Sequence, residues 1–241
     1  METSLPVALS GQIAMEKRLE TLAHNIANAR TVGFRAEEVR FEELLSRTGP
    51  DPVSFVSSGA TYLSNRTGAL TQTGNPLDLA VRGEAFFAFQ GDNGPVYTRD
   101  GRMQVSPEGT VQTLTGKPLL DAGGATVQID PAGGPLTIGG DGRIHQAGQQ
   151  IGAIGLFRIP AGANVTRHDT SGVVSDVPAV PVIEFLSDNI LQGYVEEANV
   201  NPIHEITRLI TLQRAFESAA NVVQTNDRSL GDAIKSLGSN R

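Results

Sequence analysis

From Leu209 onward a large apolar residue returns at every seventh place, as Leu209, Phe216, Val223, Leu230 and Leu237. Leu212, Ala219 and Ala233 follow three places after Leu209, Phe216 and Leu230. An a/d seam held this long has the period of a coiled coil, not of a helix resting on a globular core, and it restricts the fold more than any other feature. Asn226 takes the remaining d position, where a buried amide costs stability but fixes register. Asn201 before Pro202 predicts the helix start, because Asn caps well and Pro is tolerated in the first turn. Gly238 predicts the stop.

The opposite end repeats the device. With Leu5 as a and Ala8 as d, the series runs through Gln12, Met15, Leu19, Leu22, Ile26 and Ala29, with Gln12 the exception to its apolar character. Gly33 is suited to the left-handed conformation that closes such a segment, and an N-terminal axial helix is expected over residues 1–32. Two helices of one period are expected to pair. Small residues at Ala8, Ala29, Ala219 and Ala233 allow approach by more than one neighbour. They also bury little surface against an ordering cost of about 1–2 kcal/mol per residue. The ends are therefore expected to become firmly ordered only against other subunits. The assembly seam is Leu5, Met15, Leu19, Leu22, Ile26, Leu209, Leu212, Phe216, Val223, Leu230 and Leu237.

Between the ends the period changes. Residues 33–77 are rich in Ser, Thr, Gly and Pro and read as an extended connector, with short extended pieces at 53–56 and 60–63 and a short helix over 37–45. Residues 78–192 alternate strand-like runs with turn signals. The runs are 86–89, 96–98, 103–105, 110–113, 127–129, 136–138, 154–157 and 182–185; the turns include Asp100-Gly101, Glu108-Gly109, Gly116-Lys117, Gly133-Gly134 and Asp141-Gly142. Such spacing predicts an inserted, mainly antiparallel β domain. Residues 193–241 supply a return strand and the C-terminal axial helix. The expected fold class is α+β: terminal helices forming a coiled-coil axial domain, with the β domain between them.

Charge and composition exclude several functions. A net charge of −7 offers no basic surplus for nucleic acid, and no apolar run approaches the ~20 residues that span a bilayer. Cysteine is absent, so there is neither thiolate metal site nor thiol nucleophile. The first residues lack the basic and apolar regions of a cleaved secretory signal, so export, if it occurs, is expected to use another route. His24, His145, His168 and His204 lie in separate segments without ligand spacing, and Asp100-Gly101 and Asp141-Gly142 lack the remaining ligands of a calcium loop. Gly139-Gly-Asp-Gly142 is no phosphate loop, and Ser10 and Ser171 have no positioned base. Glu196 and Glu197, adjacent on an extended segment, point to opposite faces and do not form a glycosidase pair. No catalytic residue, cofactor, metal, small-molecule substrate or membrane insertion is expected.

Four blocks carry a family resemblance. Leu22-Ala-His-Asn25-Ile-Ala-Asn28-Ala-Arg-Thr-Val-Gly33-Phe34-Arg35 resembles the N-terminal signature of the flagellar axial family, the rod and hook proteins. Gly74-Asn-Pro-Leu77-Asp-Leu79-Ala-Val-Arg-Gly83-Glu-Ala-Phe86-Phe87 resembles that family's entry into its β domain, and Tyr97-Thr-Arg-Asp-Gly101 the hairpin that follows. Gly193-Tyr-Val-Glu196-Glu-Ala-Asn199-Val-Asn201-Pro202, with Gln213-Arg214-Ala-Phe216-Glu217 beyond it, is similar to the C-terminal signature. Ala198 stands where many members carry Ser, and Arg30-Thr-Val-Gly33 is a looser turn than the usual Thr-Pro-Gly. The signature residues are Asn25, Asn28, Gly33, Phe34, Asn199, Asn201 and Arg214.

The short middle region resembles a rod protein rather than a hook protein, of the proximal branch with the distal branch as its competitor. The resemblance implies a structural subunit of the basal-body rod, whose partners are other rod subunits and copies of itself. It further implies export through the flagellar type III apparatus, a place in the rod across the periplasm, and transmission of torque. The rival is a secreted β-rich module binding cell-wall glycan. That would need an exposed aromatic platform, whereas the chain has three Tyr, no Trp, and Phe86, Phe87 and Phe89 in a run that reads as buried.

Overall fold

The computed structural model describes residues 4–46 and 53–238, and its fold is α+β. The chain divides into two compact units, one of residues 1–27, 37–62 and 201–241, the other of residues 28–36 and 63–200.

The first unit holds two helices, α1 (Ser4–Ala27) and α2 (Pro202–Gly238), which pack against each other. Asn201 starts α2 as expected: its Oδ1 accepts from the N–H groups of Ile203 (3.1 Å) and His204 (3.2 Å), two donors with no partner inside the helix. α1 ends at Ala27, short of the expected residue 32. After it Thr31 N–H donates to the Asn28 carbonyl and Thr31 Oγ1 to Asn28 Oδ1, turn bonds that compete with another helical turn.

The helix expected over 37–45 is replaced by two strands, β1 (Glu37–Arg40) and β2 (Glu43–Ser46). Asn25 supplies a physical reason. Its side-chain amide receives the Glu37 N–H at 2.9 Å and donates to the Glu37 carbonyl at 2.8 Å, matching one edge of an extended backbone. β3 (Val53–Val56) pairs antiparallel with β2, and β4 (Ala60–Leu63) pairs with β1.

The second unit contains the remaining strands. These begin with β5 (Leu70–Gln72), β6 (Leu79–Arg82), β7 (Phe86–Gly91), β8 (Gly94–Thr98), β9 (Met103–Val105) and β10 (Val111–Thr113). Then come β11 (Leu136–Ile138), β12 (Arg143–Gln146), β13 (Gln149–Ala153), β14 (Leu156–Arg158) and β15 (Val165–Arg167). The last are β16 (Gly172–Ser175), β17 (Val180–Pro181), β18 (Asn189–Gln192) and β19 (Tyr194–Glu196).

Six of them form an antiparallel sheet in the order β15-β16-β8-β7-β14-β17. β11, β12 and β13 make a second sheet, while β18 pairs with β6 and β19 with β5. The pairs β18–β6 and β19–β5 join segments more than a hundred residues apart, and they bring residues 63–77 into this unit.

Strand β7 explains the phenylalanine run. Phe87 and Phe89 are buried in the main core with Leu79, Val81, Leu119, Ile144 and Leu156. Ala88 and, half-buried, Phe86 face a second cluster around Tyr97, Leu120, Phe157 and Val173. Both faces of the strand are covered, hence a continuous apolar run.

Two expected strands are corrected. Residues 127–129 form no strand: Val127 accepts from Val111 N–H and donates to Leu119, and an isolated bridge joins Thr110 to Gln128. Residues 182–185 also form none; the strand lies just before, at β17, and Val182 and Phe185 turn their side chains onto the core.

Candidate functional site

All four resembling blocks meet at a buried ionic junction in the second unit. Gly33 opens it, with φ +70°, as a residue without Cβ. A Cβ there would overlap the backbone nitrogen of Asp100, and the Gly33 N–H donates to the Glu196 carbonyl at 2.7 Å. Phe34 is buried, and the Arg167 guanidinium lies 4.4 Å from its ring centroid. Asn199 joins two irregular segments: its Oδ1 accepts from Ala36 N–H (2.7 Å) and its Nδ2 donates to the Arg66 carbonyl (2.6 Å).

At the centre, the Glu196 carboxylate is 2% exposed and faces two arginines. Arg99 Nη1 donates to Oε2 at 2.9 Å, Arg35 Nη2 lies 3.8 Å from Oε1, and the Gly68 N–H donates to Oε1 at 3.0 Å. Arg99 also donates to the carbonyls of Val81 and Gly83, and Arg35 to those of Ser64 and Arg66. The Phe86 ring centroid is 5.4 Å from the Arg35 guanidinium carbon and 4.9 Å from that of Arg99.

Two cations thus share one carboxylate, with an aromatic face as further compensation. Burial, then the charge of Arg99, lowers the Arg35 pKa to about 10 despite Glu196. Burial also pushes Arg99 down, against the pull of Glu196.

A second buried carboxylate, Asp188, fixes the turn at Gly83. Its Oδ1 accepts the N–H groups of Glu84 (2.6 Å) and Ala85 (3.0 Å), and Arg158 bonds Oδ2. Gly83 has φ +123°, and a Cβ there would overlap the same carboxylate. Burial raises the Asp188 pKa, but the Arg158 bond and the two backbone amides outweigh it and leave the carboxyl below its ordinary value.

In the first unit, α1 and α2 carry the expected seam positions. Leu22 is buried, and Met15, Leu19 and Ile26 are half-buried on α1. On α2, Leu209, Leu212, Phe216, Ala219 and Val223 are half-buried, three and four places apart. The side chains of Leu5, Asn226, Leu230 and Leu237 lie outside the described residues. Ala29 falls beyond the end of α1.

A second apolar set is exposed: Leu9 and Ile13 on α1, and Ile203, Ile206, Ile210 and Val222 on α2. Ile203, Ile206 and Ile210 share a face roughly a third of a turn away from the seam. Among the signature residues, Asn25 is buried against Glu37, Asn28 sits in the turn after α1, Asn201 caps α2, and Arg214 is exposed on α2.

Sequence reasoning missed Arg35, Arg99, Asp188 and Glu196 as a group. Their signal was a charge set inside an apolar strand-like run, as in Val195-Glu196 or Val96-Tyr-Thr-Arg99. Among the described residues no cluster of three or more His, Asp or Glu could hold a metal ion, and no helix is long and apolar enough to cross a membrane.

Comparisons with known proteins cover the same regions. Residues 5–35 match the model of the flagella basal body rod protein family, residues 80–146 that of the flagellar hook protein FlgE/F/G D1 domain, and residues 191–236 that of the flagellar basal body rod FlgEFG protein C-terminal region. The chain is 49% identical over 239 residues to the flagellar basal-body rod protein FlgF of Mesorhizobium japonicum, covering 99% of each. It is 45% identical over 241 residues to that of Rhizobium meliloti, covering 100% of each. Against the flagellar basal-body rod protein FlgG of Bacillus subtilis the identity is 28% over 263 residues, covering 97% of this chain and 98% of the relative.

Proposed function

The chain belongs to the flagellar basal-body rod protein family, and from that premise we propose that it is a structural subunit of the proximal rod. The observation that carries this reading is similarity along the whole chain to relatives named FlgF, well above that to relatives named FlgG. The function is mechanical; the family is structural, not enzymatic.

The terminal helices build the axial layer as a coiled coil, and the seam and its neighbours are covered by other subunits. The exposed isoleucine face of α2 supports this, because intramolecular pairing with α1 leaves Ile203, Ile206 and Ile210 open to water. Heterologous contacts that do not close on themselves give an open, helically repeating tube. Torque is then shared among many small interfaces, while the Arg35–Glu196–Arg99 junction keeps each second unit stiff. Export proceeds through the flagellar type III apparatus, and the assembled rod crosses the periplasm.

Imaging labelled chain in purified basal bodies tests this reading. Label confined to the rod near its membrane-proximal end is expected; label at the distal rod assigns the chain to the distal branch, and its absence from basal bodies contradicts the proposal.

A further inference from the structure

The most exposed large apolar side chains of the second unit lie together on one short segment. Ile183 is 85% exposed and Leu186 is 90% exposed, with Val180 beside them at 58%. The segment is held at both ends. Val182 N–H donates to the Leu156 carbonyl and Phe185 packs on the core, while Asp188 is fixed by Arg158 and the Gly83–Ala85 turn. Two aliphatic side chains presented on a fixed loop lose little freedom when a partner covers them. From 176 to 187 the segment carries Asp176 and Glu184 and no Lys or Arg.

A cleft of about 280 Å³ lies elsewhere on the same unit, lined mostly by threonines and two ion pairs; Leu114, 56% exposed, is its open apolar side chain, with Phe89 and Val96 nearly covered beneath it. Its volume is that of roughly nine waters, of the same order as the side-chain carbons of one Ile and one Leu. At the rim, Lys117 Nζ is 3.9 Å from Asp169 and 3.4 Å from His168 Nε2. With three donor hydrogens, that ammonium can take a further carboxylate.

Sheet order gives the two surfaces a direction. The tip follows β17, the edge strand, and the cleft draws Val96 and Thr98 from β8 and Gly172 from β16. Strands β14 and β7 stand between β17 and β8, so donor and acceptor are about 15–20 Å apart across the sheet.

We propose that the Ile183–Leu186 tip of one copy seats in the Phe89–Val96–Leu114 cleft of the next, with Glu184 meeting Lys117. The occupant is a second copy of this chain, which rests on the reading of the chain as a polymerising subunit. The aliphatic tip meets Leu114 and the methyl groups of the cleft's threonines, and the acidic segment meets the rim ammonium. Because the two surfaces differ, the contact is head-to-tail, and copies add in one direction without closing as a dimer.

The natural absence of cysteine makes a direct test available. Full-length chain carrying Leu186→Cys and Leu114→Cys, expressed in cells building basal bodies and oxidised, is expected to give a ladder of cross-linked oligomers, with neither single variant doing so. Dimers from Leu186→Cys alone would mean a symmetric tip-to-tip contact and overturn the proposal, as would rods in which the double variant stays uncross-linked.

Charge reversal decides the matter if the double variant is excluded from rods. Glu184→Lys and Lys117→Glu should each reduce incorporation, and together restore it; no restoration overturns the contact. Failure of the unaltered chain to enter basal bodies instead sinks the functional reading, which separates the two failures.

Discussion

Replacing Glu196 with alanine is expected to destabilise the chain by about 3–5 kcal/mol, the range for removing one partner of a buried ion pair and leaving the other charged. The carboxylate is 2% exposed, so water cannot take its place beside Arg35 and Arg99, and the Gly68 N–H loses its acceptor as well. Against a typical total of about 5–15 kcal/mol this is a large fraction. Urea unfolding of the full-length variant should show it as a fall in midpoint. Glu196→Gln, which keeps an acceptor for Gly68 and loses the charge, should fall less. A change below about 1 kcal/mol for the alanine variant would mean that the junction contributes little, the outcome for an exposed pair.

Replacing Phe216 with aspartate is expected to abolish incorporation into rods while leaving the second unit folded. Phe216 is half-buried on α2, between Leu212 and Ala219, and its neighbours on that face are also partly open. A carboxylate there must be desolvated when a neighbouring subunit covers the face, at a cost that the remaining apolar contacts do not offset. Leu22→Asp, on the buried side of α1, should behave in the same way. Near-ultraviolet circular dichroism of the purified variants should retain the tyrosine signal of the second unit, where Tyr97 packs on Phe157 at 5.9 Å. Functional rods built from either variant would contradict the assembly account.

The terminal helices were legible because periodicity reports which side chains share a face, and a seam spaced by three and four leaves little alternative. The start of α2 was legible for a local reason, the short reach of the Asn201 side chain. Turn glycines were also legible: Gly109, Gly116, Gly134 and Gly142 all have positive φ.

Pairing over long separations was not. Nothing within β6 or β18 says that Leu79 will lie opposite Gln192, because period identifies the buried face and not the partner strand. Residues 37–45 misled for a related reason. Their mixture of Glu, Arg and Leu suits a helix, and the Asn25 amide that holds Glu37 extended lies twelve residues earlier. The ionic junction was illegible for yet another: Arg and Glu are surface residues by default, and only the assembled strands reveal that Arg35, Arg99 and Glu196 bury one another.

The most direct test of the central claim, that the apolar stripes of α1 and α2 are completed by other subunits, is hydrogen exchange on the full chain as dilute monomer and in isolated rods. The account predicts fast exchange over 4–27 and 202–238 in the monomer and slow exchange over the same residues in rods, with strands of the second unit protected in both. Strong protection of both helices in the dilute monomer, unchanged on assembly, would contradict it and leave a self-contained helix pair.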